Sequence, residues 1–189
     1  MGGSGVNIYE VCPEVKNDRF LLRLVGEQDC EDLLKVYSDL SAVPLFNSDN
    51  CNGDDFYYAT PERMREAVAF WMLAYENGWF VRLSIVDVAA GCAVGTVELC
   101  RRESGDTGIL RLDLRSDYEK EAVILELLSL VAEPAYDFIG CSLLITKAKP
   151  IAAARIRALT AFDFSPADTP LIGNDGKTYG DYYERRKGK

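Results

Sequence analysis

Ile109-Leu110-Arg111-Leu112-Asp113-Leu114 runs into Arg115-Ser116-Asp117-Tyr118-Glu119-Lys120 and then into Glu121-Ala122-Val123-Ile124-Leu125-Glu126-Leu127-Leu128-Ser129-Leu130-Val131-Ala132-Glu133. In the first six residues the leucines alternate with Arg111 and Asp113, which puts the leucines on one face of a strand and the charges on the other. From Glu119 the pattern changes. Apolar residues recur nearly all round through Glu133 with no Gly or Pro between, which predicts a largely buried helix, and Pro134 is expected to end it. Ser142 to Thr146 is again apolar and strand-like. The unit therefore reads strand, loop, helix, strand, the parallel crossover.

Upstream, Arg82 to Val88 and Val94 to Cys100 read as two further strands, separated from each other by Ala89-Ala90-Gly91 and from the third strand by Ser104-Gly105-Asp106. Such short turns make an antiparallel meander. Before it, Thr60-Pro61-Glu62 is a helix start: an N-cap, a proline suited to the first turn, and an acid that complements the dipole. Met64, Val68, Trp71, Met72 and Tyr75 recur at helical spacing, and Asn77-Gly78 is a stop. Phe20 to Val25 predicts a first strand, and Asp29 to Leu40 a first helix with Leu33, Val36, Tyr37 and Leu40 on one face. Val43 to Ala59 is a long irregular stretch carrying Asp49, Asp54 and Asp55, and loops of that length are commonly functional. Downstream, a helix over about Pro150 to Ala161 precedes a closing hairpin built on Leu171-Ile172, the Asn174-Asp175-Gly176 turn and Thr178 to Glu184.

Composition narrows the function. The chain has 189 residues, 48% of them apolar, which suits one globular domain. No run of about 18 apolar residues exists, so no membrane span and no membrane partner is expected. Acids outnumber bases 30 to 21, and nucleic acid is an improbable partner because phosphate neutralisation needs clustered Lys and Arg. The six cysteines include no CxxC pair and no secretion signal accompanies them, so free thiols and a cytoplasmic location are expected. There is no histidine. Histidine triads, histidine metal ligands and histidine proton shuttles are excluded, no metal site is expected, and acid–base chemistry falls to Asp, Glu, Tyr, Cys, Lys or water.

The element order, together with Phe20-Leu21-Leu22-Arg23, Gly95-Thr96-Val97-Glu98-Leu99, Leu110-Arg111-Leu112-Asp113-Leu114 and Ala161-Phe162-Asp163-Phe164, resembles the Gcn5-related N-acetyltransferase superfamily in its ribosomal-protein acetyltransferase branch. The resemblance implies an α/β fold of the acyl-CoA N-acyltransferase type: a mixed, mostly antiparallel sheet around the parallel strand–helix–strand core. It sets the domain at residues 18–185, between a flexible tail (1–17) and a basic C-terminal tail (186–189). It implies acetyl-coenzyme A as cosubstrate, with pantetheine along Leu112, Asp113 and Leu114 in a splay opened against Ser142 to Thr146. The pyrophosphate would lie on Arg115, Ser116, Asp117, Tyr118, Glu119 and Lys120, with Arg155 able to reach a coenzyme phosphate. A small-molecule or peptide amine would enter beside the helix that begins at Thr60, and attack the thioester directly. The resemblance also allows a homodimer.

Glu98 and Asp113 are the candidate catalytic bases; each could instead be the ion-pair partner of Arg111 or Arg82. Tyr179, Tyr182 and Tyr183 are candidate proton donors. The loop departs from the family pattern, which is Gln or Arg, two residues, Gly, one residue, then Gly or Ala. Residues 115–122 contain no glycine. Ser116 and Glu119 instead have the spacing of a capping box, which would spend on side chains the amides that a phosphate needs. The pyrophosphate loop is in that sense degenerate. The alternative function is a catalytically degenerate protein that binds a metabolite or a protein without acetyl transfer.

Overall fold

The computed structural model describes residues 7–102 and 105–188. Ser104 of the second expected turn lies outside them. In chain order the elements are β1 (Val15–Lys16), β2 (Phe20–Leu24), α1 (Cys30–Tyr37), α2 (Pro61–Glu76), β3 (Val81–Asp87), β4 (Cys92–Arg101), β5 (Thr107–Leu114), α3 (Glu121–Phe138), β6 (Leu143–Lys147), α4 (Ala153–Ala161), β7 (Ser165–Pro166), β8 (Leu171–Ile172), β9 (Thr178–Tyr179) and β10 (Tyr182–Arg186). Single 3₁₀ turns precede α1 and α3.

One sheet runs β1-β2-β3-β4-β5-β6-β10-β7, and β5–β6 is its parallel pair. Its two faces differ as the alternation of Leu110 to Leu114 requires. Leu110, Leu112 and Leu114 pack with Val123, Ile124, Leu127, Leu128 and Val131 of α3 in the main core. The opposite face lies under a second cluster that includes Tyr37, Phe46, Phe56, Tyr58, Met64, Val68 and Trp71, from α1, α2 and the segment between them. α2 starts where its sequence says: the Thr60 hydroxyl accepts the Arg63 amide at 3.2 Å, Pro61 opens the helix, and Gly78 takes a positive φ of 69° just past its end.

Several expectations are corrected. Ile8 is fully buried in the core and Val15–Lys16 pairs with Leu21 and Leu22, so residues 7–17 are packed rather than a loose tail; Met1 to Val6 lie outside the described residues. Pro134 does not end α3, which continues to Phe138. A proline there removes one backbone donor. The turn that follows nevertheless buries Ala135 and Tyr136, and the Tyr136 hydroxyl donates to the Arg185 carbonyl at 2.9 Å, so tertiary packing outweighs the local preference. The closing hairpin is split. β8 and β9 pair around the Asn174-Asp175-Gly176 turn, whereas Tyr182–Arg186 joins the main sheet against β6. The basic terminus is therefore not a free tail. Arg185 is buried, pairs with Glu133 and stacks on Phe162, Arg186 sits in β10, and Lys187 pairs with Asp137; Lys189 is outside the described residues.

No helix among the described residues is long and apolar enough to cross a membrane.

Candidate active site

The polar face of the meander carries two rows of side chains. In the first, Arg82, Glu98 and Arg111 stand directly opposite one another on β3, β4 and β5. Cross-strand neighbours on one face lie about 4.5–5.5 Å apart at Cβ, so one carboxylate bridges two guanidiniums: Glu98 Oε2 accepts from Arg82 and Oε1 from Arg111. In the second row Ser84, Thr96 and Asp113 stand opposite one another. The Tyr37 hydroxyl, from α1, joins the rows: it donates to Asp113 Oδ2 at 2.9 Å, meets Thr96 Oγ1 at 2.8 Å, and accepts from Arg82 Nη1 at 2.8 Å. The Arg82 guanidinium lies 4.2 Å from the Trp71 ring centroid and 5.3 Å from that of Phe56, a cation–π seat inside the aromatic cluster.

The two candidate bases sit side by side in this network and differ in kind. Burial alone would raise the Glu98 carboxyl; the charges of Arg111 and Arg82, and their hydrogen bonds, overcome that and hold it below the usual carboxylate range. A carboxylate so held is a weak proton acceptor. Burial raises Asp113, and this outweighs the opposing pull of Arg82 and the Tyr37 hydrogen bond. Asp113 Oδ1 is buried without a hydrogen-bond partner among the described residues, as are Arg82 Nε and Arg111 Nε.

The segment after β5 does not fold as the capping box predicts. Ser116 turns its amide to Asp39, whose Oδ2 accepts it at 2.9 Å, and α3 begins only at Glu121, with Lys120 at its N-cap. The amides of Tyr118, Glu119 and Lys120 go to the carbonyls of Arg115, Ser116 and Tyr118. The Arg115 side chain is bidentate on Asp117 at 2.6 and 2.9 Å. The backbone donors of this loop are thus largely engaged within the chain. The first turn of α3 is different: no side chain caps it, and the amides of Glu121, Ala122 and Val123 have no partner among the described residues. Three free amides at the start of an 18-residue helix form an electropositive end.

β5 and β6 pair only at Thr107–Leu143, Gly108–Leu144 and Ile109–Ile145. Beyond Ile109, β5 keeps β4 on one side and parts from β6 on the other. The splay is not empty. Arg155, from α4, donates Nη1 to the Leu112 carbonyl at 2.7 Å and makes a bidentate pair with Glu119 at 2.8 and 2.7 Å. Its side chain is 3% exposed and that of Glu119 8%. The carbonyl that the parting strand leaves unpaired is therefore satisfied by a guanidinium, and Glu119, expected to reach back to Ser116, reaches forward to α4.

The acidic 43–59 stretch crosses this region and is tied down. Asp49 pairs with Lys147 at 2.5 Å, accepts from the Tyr182 hydroxyl at 3.2 Å, and offers its carbonyl to Arg111 at 2.9 Å. Asp54 is held by Arg63 and Tyr58. Burial pushes the Cys51 thiol up to about 11 and the Cys100 thiol up to about 12, so both stay protonated at neutral pH and neither is a nucleophilic thiolate. Two surface depressions, of about 320 and 520 Å³, are bordered by Trp79 and Arg101 and by Pro150 and Tyr183 respectively; neither is lined by Glu98, Asp113 or residues 112–120.

Sequence reasoning singled out Glu98, Asp113, the 112–120 segment and Arg155. Leu112, Glu119 and Arg155 meet at one point, and Glu98 and Asp113 share one network. Asp39 was missed, and nothing local to it marks a contact with a residue 77 positions away.

No model of a known protein family matches this chain, and no curated protein matches it. Solved structures do. A ribosomal-protein-S5-alanine acetyltransferase from Vibrio fischeri superposes with a TM-score of 0.69 at 14% identity, covering 94% of this chain and 98% of that one. An acetyltransferase of the GNAT family from Bacillus anthracis gives 0.70 at 13% identity, with 94% and 100% covered. Mycobacterium smegmatis RimJ, solved in complex with CoA-disulfide, gives 0.70 at 13% identity, with 91% and 85% covered. The chain has the acyl-CoA N-acyltransferase fold over nearly its whole length.

Proposed function

We propose that this protein is an acetyl-coenzyme A-dependent N-acetyltransferase that passes acetyl to a primary amine by direct attack. The observation that carries the reading is the splay of β5 from β6 beyond Ile109, with the Leu112 carbonyl turned into it and the uncapped amides of α3 beyond its end. An open strand edge pairs with an extended, amide-bearing ligand through main-chain hydrogen bonds, and a helix start takes a phosphate. Leu112, Asp113 and Leu114 would hold the pantetheine. The α3 start, with Lys120, and with Arg155 once turned from Glu119, would hold the pyrophosphate. The coenzyme supplies an activated acetyl thioester.

Within this reading Asp113 takes the proton from the attacking amine through Oδ1, the oxygen that Tyr37 and Arg82 leave free. Glu98 is a positioning residue: it fixes Arg82, and Arg82 fixes the Oδ2 side of Asp113. Water or the Tyr182 hydroxyl returns a proton to the leaving thiolate. The acceptor is a small-molecule or peptide amine approaching beside the start of α2 and the stretch before it. The charges of Asp49 and Asp54 are already paired there, so Asp55 is left as the exposed carboxylate for a cation.

A second reading has its own observation. Arg155 and Glu119 fill the splay, and Asp39 occupies the first loop amide, which suits a degenerate protein that binds a metabolite or partner without acetyl transfer. Calorimetric titration with coenzyme A separates the two. Saturable binding in the micromolar range supports the first; no heat at millimolar coenzyme supports the second.

A further inference from the structure

The Arg155–Glu119 pair joins three elements: α4 through Arg155, the segment before α3 through Glu119, and the edge of β5 through the Leu112 carbonyl. Its chemistry is unusual for its position. Arginine offers five donors in a planar fork that matches a carboxylate or a phosphate equally well. The carboxylate it holds belongs to the loop that leads into the uncapped first turn of α3. Neighbouring charges are already matched, Arg115 with Asp117 and Arg157 with Glu121, so Arg155 is the cation whose partner stands between the splay and the helix start.

We infer that Glu119 is a built-in competitor for Arg155: its carboxylate keeps the splay closed, and a diphosphate-bearing ligand enters by displacing Glu119 and taking the guanidinium together with the free amides of Glu121, Ala122 and Val123. The inference deepens the acetyltransferase reading and rests on it for the identity of the ligand, but the competition itself is a property of the pair. Glu119 thereby sets a threshold. A ligand lacking a diphosphate, such as free pantetheine, does not replace a bidentate carboxylate and leaves the splay shut. Removing the carboxylate lowers the threshold without touching the residues that hold the ligand.

The test uses the full chain, the Glu119→Gln variant and the Glu119→Gln/Arg155→Met pair, with inorganic pyrophosphate and coenzyme A titrated separately by calorimetry. Gln keeps the length and one acceptor oxygen, and the double variant buries no unpaired charge. Its thermal unfolding serves to establish that any loss of binding is not loss of fold. Glu119→Gln is expected to bind pyrophosphate at least tenfold more tightly than the parent chain, and the double variant to lose that gain. Equal binding by parent and Glu119→Gln, absence of binding by both, or retention of the gain without Arg155 overturns the inference. Tighter pyrophosphate binding with no coenzyme A binding in any variant leaves the competition standing and counts against the acetyltransferase reading instead.

Discussion

Asp39 Oδ2 accepts the amide of Ser116 at 2.9 Å, so a residue just past α1 holds the first turn of the segment that links β5 to α3. Burial would raise this carboxyl, but the hydroxyl and amide of Ser116 and the amides of Ser41 and Ala42 outweigh it and hold it below its ordinary value. Asp39→Ala leaves these donors to water. The expected loss is about 1 kcal/mol, because the site is partly exposed and a hydrogen bond to a charge contributes about 1.5–3 kcal/mol when fully formed. Urea denaturation reads it; a midpoint unchanged from the parent would show that the contact holds nothing.

Glu98 shares that direction, held down by Arg111 and Arg82 against burial, and so do Asp87 and Asp117. A carboxylate whose folded value lies below its unfolded one stabilises the fold above the unfolded value, near 4. That contribution is lost as pH falls through the folded value. Asp113, raised by burial, acts in the opposite sense and adds stability as pH falls through its folded value, so the urea midpoint is expected to fall steeply only below about 4. Asp39→Asn should fall less steeply than the parent. Superimposable pH curves would contradict the assignment.

Arg82 is a buried charge, with Glu98, Asp113, Tyr37 and Thr96 around it. Arg82→Met leaves Asp113 buried without its cation and Glu98 with Arg111 alone. Breaking a buried pair by removing one partner costs about 3–5 kcal/mol. The variant should unfold at much lower denaturant, or be recovered only when Asp113→Asn accompanies it. A near-parental midpoint for the single variant would mean that the network is more hydrated than its burial indicates.

Gly95 stands opposite Leu114 in the β4–β5 ladder, and a Cβ placed on it would collide with the Asp113 carbonyl. The obstacle is backbone, so it yields only by bending β5. Gly95→Ala is expected to destabilise by about 1–3 kcal/mol and, through the displaced Asp113, to reduce acetyl transfer more than the stability loss explains. Thermal unfolding and rate measured on the same preparation separate the two effects.

Much of the frame was legible in the sequence because it rests on local signals. Thr60-Pro61 sets a helix start, Gly78 a stop, and the leucine–charge alternation of residues 110–114 sets both faces of β5. Pro134 misled because the pull of buried Tyr136 is a tertiary effect. The Ser116–Glu119 spacing misled because each residue had a stronger partner elsewhere, Asp39 for one and Arg155 for the other, 77 and 36 positions away. The row of Arg82, Glu98 and Arg111 was foreseen only as alternatives: either arginine could be Glu98's partner. Strand register makes both true at once.

The absence of histidine gives the pH–rate profile diagnostic force. Burial raises Asp113, so the acidic limb of activity should lie above the ordinary Asp value near 4 and report this one group. Tyr37→Phe removes the hydroxyl that bonds Asp113 Oδ2, and should shift the limb upward while slowing the rate. A limb at the same pH in both proteins would remove Asp113 from the mechanism.

The most direct measurement is release of free thiol from acetyl-coenzyme A by the purified chain, offered a panel of small and peptidyl primary amines, beside the Asp113→Asn variant. The account predicts steady, amine-dependent thiol release by the parent and at least a hundredfold slower release by the variant, with coenzyme binding retained. No amine-dependent thiol release by the parent, or an equal rate in the variant, would contradict it.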